Sequence, residues 1–245
     1  MKEQYIRTAM LLGEAGVAQL QKKRVAVFGL GGVGGYVAEA LARSGVGALD
    51  LIDHDTVTES NLNRQIIATF DTIGRQKTQV MAERIRSFRR DCEIRLFPEF
   101  YLPENASDFP LGEYDYVVDA IDTVTAKIDL AVRTEQLGVP MISSMGTGNK
   151  LNPAMFEVAD IYETSVCPLA KVMRRELRAR GVNKLKVVYS REEPRKPLEG
   201  AWNGQPDGAN VRKAVPGSVA FVPAAAGLLI ASEVVKDLCN EEVTV

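Results

Sequence analysis

The chain reads as an α/β protein: a Rossmann-like, doubly wound, mostly parallel sheet with a C-terminal extension. Three observations predict this class. A β-branched run from Val25 stops at Gly29-Leu30-Gly31-Gly32-Val33-Gly34, and a helical pattern over Tyr36 to Arg43 follows at once, so the glycines sit on a strand-to-helix turn. A second apolar strand, Ala48 to Ile52, ends at Asp53, nineteen residues after Gly34, where a carboxylate can accept hydrogen bonds from ribose hydroxyls. The 245 residues and 46% hydrophobic content suffice for one large domain. We divide it into a nucleotide-binding half, residues 1–150, and a substrate-facing half, residues 151–245.

Within the glycine cluster each residue has a distinct task. Gly29 allows the tight turn, Gly31 or Gly32 lets backbone N–H groups approach phosphate oxygens, and Gly34 allows close helix–strand packing. Such a turn with a distal Asp53 suits NAD as well as ATP. The stretch after Asp53 favours ATP: Asn61, Arg64 and Gln65 lie on one short polar segment beyond a strand end. Lys77 then opens an amphipathic helix whose apolar face carries Val80, Met81, Ile85 and Phe88. Arg grips phosphate oxygens with a planar fork, Lys supplies a point charge and Asn a neutral donor. Alone, Lys77 would read as a solvated helix residue. A strand over Tyr116 to Asp119 leads into Ala120-Ile121-Asp122, placing two carboxylates at the carboxyl end of the sheet. Asp122 suits Mg²⁺ bridging phosphates or a base, whereas Asp119 reads as a helix cap or as a partner for Arg64.

The second half alternates in the same way. We predict a strand around Met155 to Ile161, a helix from Pro168 to Arg180 and a strand over Lys186 to Tyr189. A polar Pro/Gly-rich loop then runs to Gly217, followed by a strand over Ser218 to Val222 and a buried helix starting near Pro223. On the helix after Pro168, the cations Lys171, Arg174, Arg175 and Arg178 fall at i, i+3, i+4 and i+7 and form one stripe, with Leu169, Val172, Met173 and Leu177 offset from it. The stripe reads as a solvated helix face or as an RNA contact.

Composition excludes several classes. The pI of 5.7 gives no global basic signal, yet residues 163–213 hold twelve Lys and Arg against six Asp and Glu, an asymmetry compatible with a polyanionic partner. Cys92, Cys167 and Cys239 form no C-x-x-C pair, so a disulfide framework or a structural zinc is not expected. Cys167, ahead of Pro168 at a helix start, reads as a nucleophile or simply as a small residue there. His54 is the sole histidine, which rules out a Ser-His-Asp triad and a multi-histidine metal site. The first ten residues are polar with no apolar core or cleavage site, and Val219 to Val235 is interrupted by Pro223, Ser232 and Glu233; we expect no signal peptide, no membrane association and a cytoplasmic chain.

Taken in order, G-x-G-G-x-G, D-x-D, N-x-N-R-Q, G-x-x-K and D-A-x-D resemble the ubiquitin-activating-enzyme-like adenylyltransferases over about half of the chain. The resemblance implies that the glycines and Asp53 bind ATP, that Asn61, Arg64 and Lys77 hold its phosphates, and that Asp122 holds Mg²⁺. Gln65 and Asp55 match the pattern as well, and Arg7 matches an arginine that reaches the partner subunit's ATP, which implies a homodimer. Thr164 to Ala170, Arg174, Leu177, Lys186 to Ser190 and Gly217 to Pro223, with the turn Ser143 to Gly148, are similar to one branch, the tRNA threonylcarbamoyladenosine dehydratases. That branch implies a tRNA substrate carrying threonylcarbamoyladenosine beside the anticodon, ATP-dependent ring closure through a carboxyl-adenylate, and a sulfur-relay protein as a further partner. The alternative is an adenylyltransferase activating the C-terminus of a ubiquitin-like sulfur-carrier protein; several such members hold zinc with two C-x-x-C pairs, which this chain lacks.

Overall fold

In a computed structural model describing residues 2–198 and 216–239, one seven-stranded sheet carries helices on both faces. The chain opens with α1 (Ile6–Leu20) and continues through β1 (Arg24–Phe28), α2 (Gly34–Ser44), β2 (Ala48–Ile52), α3 (Lys77–Phe88) and β3 (Glu93–Phe97). Next come β4 (Tyr116–Asp119), α4 (Val124–Leu137), β5 (Met141–Ser144), β6 (Phe156–Asp160), α5 (Pro168–Ala179), β7 (Lys186–Ser190) and α6 (Phe221–Cys239). Strand order is β3-β2-β1-β4-β5-β7-β6, and all pairings are parallel except β6 against β7. The predicted fold class is the one observed.

Side chains alternate across the sheet with the period of two that a strand imposes. Val25 and Val27 of β1 face a core built with Val37 and Leu41 of α2, Met81 and Ile85 of α3, and Ile230 and Val234 of α6. Ala26 and Phe28 face the opposite core, with Leu130 and Ala131 of α4 and Met173 and Leu177 of α5. The inner strands β1, β2, β4 and β5 are almost wholly buried, as a parallel sheet covered on both faces requires.

Register places the site. Phe28 lies opposite both Ile52 and Asp119, so the first residues beyond the three strands, Gly29, Asp53 and Ala120, emerge at one level. Strand order reverses between β1 and β4, since β2 lies on one side of β1 and β4 on the other, and the crevice above that switch point is where ligands bind in such sheets.

One predicted feature differs. The strand expected over Ser218 to Val222 does not form: residues 216–219 are irregular and α6 begins at Phe221. Pro223 in the first turn favours helix, and the preceding backbone is held by Asn149 and Asn63 rather than by a strand. Asn149 Oδ1 accepts the Gly217 N–H at 2.7 Å, the Asn149 N–H donates to Gly217 O at 2.7 Å, and Asn63 Nδ2 donates to Ser218 O at 3.0 Å. The polar loop predicted before Gly217 lies outside the described residues over positions 199–215.

Candidate nucleotide-binding site

A cleft of about 330 Å³ opens at the carboxyl end of β1, β2 and β4. It is lined by Gly29, Gly31, Gly32, Asp53, Asp55, Asn61, Arg64, Gln65, Lys77 and Asp122, so one crevice gathers the glycines and polar residues separated by nearly a hundred positions in sequence. Gly34 stands just behind it.

The turn between β1 and α2 tolerates no side chain at its two ends. Gly29 has φ +88°, a left-handed conformation, and a Cβ there would lie 2.7 Å from Ala120 O. A Cβ at Gly34 would lie 1.7 Å from Gly29 O. Asp53 braces the turn: its Oδ2 accepts the Leu30 N–H at 2.6 Å and its Oδ1 accepts the Asp55 N–H at 2.8 Å. The carboxylate that spacing predicts for a ribose is therefore a strut for the glycine turn.

The cationic wall is pre-arranged by the protein. Lys77 is buried at the first position of α3, and its Nζ meets Asp55 Oδ2 at 2.7 Å, so Asp55 aims the ammonium into the cleft. Arg64 Nη1 donates to Ser60 O and to Asn63 Oδ1, both at 2.8 Å, and burial pushes the guanidinium below its ordinary pKa, a desolvation that an incoming anion relieves. Asn61 is buried, with Oδ1 accepting the Thr58 N–H at 3.2 Å. Gln65 is buried beside it with Oε1 lacking a protein partner among the described residues; an acceptor in that position fits a donor such as a ribose hydroxyl.

The carboxylates divide by commitment. Donor atoms of Asp53, His54 and Asp55 lie within 4.8 Å of one another. Asp53 holds two backbone N–H groups, Asp55 holds Lys77, and His54 Nε2 lies 3.1 Å from Asp55 Oδ1 while its ring packs edge-on against Phe100. Asp122 is exposed at the cleft mouth and receives a long 3.4 Å bond from Thr123 Oγ1, so its oxygens suit a hard cation such as Mg²⁺. Asp119 departs from both of its expected roles. It pairs with Lys127 of α4 at 2.8 Å, both side chains fully buried, instead of meeting Arg64, and it accepts the Ile121 N–H without capping a helix.

Sequence reasoning missed part of the lining. Glu99, Phe100 and Tyr101, which follow β3, line the cleft, as do Thr147 after β5 and Ser218 and Pro223 from the second half of the chain. Pro223 stands so close to Gly32 that a Cβ on the glycine would lie 3.2 Å from it. Only the S-S-M-G-T-G turn and the segment from Gly217 to Pro223 had signalled this.

Residues 5–245 match the family described as ThiF. The chain belongs to the ThiF family. The tRNA threonylcarbamoyladenosine dehydratase of Bacillus subtilis (strain 168) is 41% identical over 247 residues, covering 98% of this chain and 96% of that protein. The crystal structure of E. coli tRNA N6-threonylcarbamoyladenosine dehydratase, TcdA, in complex with ATP is similar with a TM-score of 0.85 and 31% identity, over 97% of this chain and 94% of that one. The adenylyltransferase and sulfurtransferase MOCS3 of Arabidopsis thaliana is 35% identical over 133 residues, which is 54% of this chain and 28% of that protein.

Two predicted groups of this ThiF-family chain lie outside the cleft. Arg7 is exposed on α1, near Ile6, Met10 and Leu11, and is not among the lining residues. On α5 the four cations are not equivalent. Arg174 Nη1 donates to Thr164 O at 2.8 Å and bonds Thr164 Oγ1, which fixes it to the preceding turn. Arg175 meets Glu176 at 2.6 Å, Arg178 lies over the Tyr162 ring, and Lys171 is exposed. Cys167 takes the N-cap position of α5, buried and outside the cleft lining. Among the described residues no helix is long and apolar enough to cross a membrane.

Proposed function

We propose that the chain is an ATP-dependent dehydratase that closes a ring in the threonylcarbamoyl group of a tRNA adenosine beside the anticodon. One observation carries the reading: the cleft joins a glycine turn and ribose carboxylate to Arg64, Lys77 and Asn61, an assembly suited to a triphosphate rather than to a nicotinamide dinucleotide. The full-length similarity to dehydratases supports the choice of substrate.

In the proposed reaction a carboxylate oxygen of the substrate attacks the α-phosphorus of ATP, the bond to the β-phosphate oxygen breaks and pyrophosphate leaves. Nitrogen of the ureido group then attacks the activated carbonyl carbon, its proton passes to solvent and AMP departs, a net loss of water. A carboxylate is a weak nucleophile, so the protein's task is alignment and neutralisation of charge on the departing phosphates. Backbone N–H groups of the Gly29–Gly34 turn, at the start of α2, hold phosphate oxygens; Lys77, steadied by Asp55, and Arg64 face the leaving pyrophosphate. Asp122 would hold Mg²⁺, which supplies further charge neutralisation when bound. Arg7 would complete the site of a partner subunit in a homodimer, the apolar residues beside it on α1 being covered by that partner.

The test is direct. Purified protein with ATP and tRNA bearing threonylcarbamoyladenosine should release AMP and pyrophosphate and yield a nucleoside lighter by one water. The same assay with a ubiquitin-like carrier protein in place of tRNA tests the alternative; adenylation of the carrier without change in tRNA would overturn the dehydratase reading.

A further inference from the structure

The backbone just before Asp122 is held by two residues that do not line the cleft. Asp119 ends β4 and Lys127 belongs to the second turn of α4, and both side chains are fully buried with Nζ and Oδ2 2.8 Å apart. Between them they hold both polar groups of one peptide residue: Asp119 Oδ1 accepts the Ile121 N–H at 3.1 Å, and Lys127 Nζ donates to Ile121 O at 3.0 Å. Ser143 of β5 donates to Asp119 Oδ2 at 2.5 Å, which locks the carboxylate to the next strand. Ile121 directly precedes Asp122, and its carbonyl carbon forms the peptide bond to the Asp122 nitrogen. A buried ion pair is weak support for stability, since an apolar pair of similar volume often serves as well. Capture of the Ile121 backbone is what an apolar pair could not supply.

We propose that Lys127 and Asp119, with Ser143, form a positioning device that fixes the Ala120-Ile121-Asp122 turn so that the Asp122 carboxylate faces Mg²⁺-ATP. The inference rests on the nucleotide-binding part of the reading above and extends it to three residues outside the contact shell. Partners that orient a metal-holding group typically change metal affinity or activity by about 10- to 100-fold when removed.

Lys127→Met alone leaves Asp119 buried without its cation and is expected to unfold readily. The informative variant is Lys127→Met/Asp119→Asn, which removes both charges together. Mg²⁺-ATP binding, measured by calorimetry without tRNA, should weaken by at least about tenfold while the melting temperature stays near that of the parent. Added to this background, Asp122→Asn should produce little further loss, because the two changes act through one group. Unchanged Mg²⁺-ATP affinity in the folded double variant, or losses that multiply fully with Asp122→Asn, would overturn the proposal. Should the double variant not fold, Ser143→Ala decides: it leaves the pair in place and should weaken Mg²⁺-ATP binding about threefold, and no change overturns the proposal. Because binding is read without tRNA, a failure of the dehydratase reading appears separately, as unchanged tRNA nucleoside in the parent protein.

Discussion

The cleft carries two cations, Arg64 and Lys77, and the α5 stripe four, and the smaller set is the more ordered. In the cleft, Lys77 is 5% exposed and Arg64 half-buried, each held by a neighbour, and both line one crevice with the glycine turn. On α5 the cations point to separate destinations: Arg174 to the Thr164 turn, Arg175 to Glu176, Arg178 to the Tyr162 ring. Buried and aligned charges are prepared for one small anion, because their desolvation has already been met by folding. Exposed, individually tethered charges keep the strength of a surface field and little geometry, which suits at most a diffuse polyanion.

The comparison breaks most visibly at Lys77. Lys77→Ala should lower ATP-dependent AMP formation by roughly 10²- to 10³-fold, the scale for removing one aligned charge stabiliser, with the fold retained by circular dichroism. Gly34→Ala comes next: its methyl group collides with Gly29 O, so the turn must open. A loss of about 1–3 kcal/mol in thermal or urea unfolding is expected, together with weaker ATP binding. Subunit mixing sharpens the place of Arg7, which lies in neither region. Arg7→Ala and Lys77→Ala proteins, each inactive, should recover roughly a quarter of the parental rate when mixed, since random pairing gives half heterodimers with one intact site each; a mixture as inactive as its parents removes Arg7 from the partner's site. The smallest effect belongs to α5. Replacing Lys171, Arg175 and Arg178 with Ala, and leaving Arg174 on Thr164, should weaken tRNA binding a few-fold and lower its salt slope, with ATP affinity unchanged. Unaltered tRNA affinity would mark a solvated face.

Legibility followed locality. The strands and helices of the first half that bear the cleft could be read because their signals are short runs: a β-branched strand, a glycine turn, an acidic residue at a fixed interval. β3 carried no such signal, since Glu93–Phe97 at the sheet edge alternates partly exposed residues, and with it went Glu99, Phe100 and Tyr101. The run Ser218 to Val222 looks like a strand from composition; contacts from Asn63 and Asn149, distant in sequence, and the helix-starting Pro223 decide otherwise. Asp119 was located correctly as a carboxylate at a strand end, but its partner Lys127 sits on a helix of weak amphipathicity that no pattern had announced. Which of two nearby carboxylates is buried and paired, and which faces a ligand, is a tertiary fact.

The contact of α6 with α2 has a consequence for how the protein is made. A Cβ at Gly227 would lie 2.5 Å from Val33 O, so the last helix lies directly against the start of α2, and its Ala226, Ile230 and Val234 complete the core around Val37 and Leu41. Synthesis proceeds from the other end, and domains fold as units. The glycine turn leaves the ribosome well before α6, and until that helix follows the apolar flank of α2 that it covers stays open to water. The glycine turn is thus covered only once α6 has been made, and a chain cut between the two keeps an exposed apolar face.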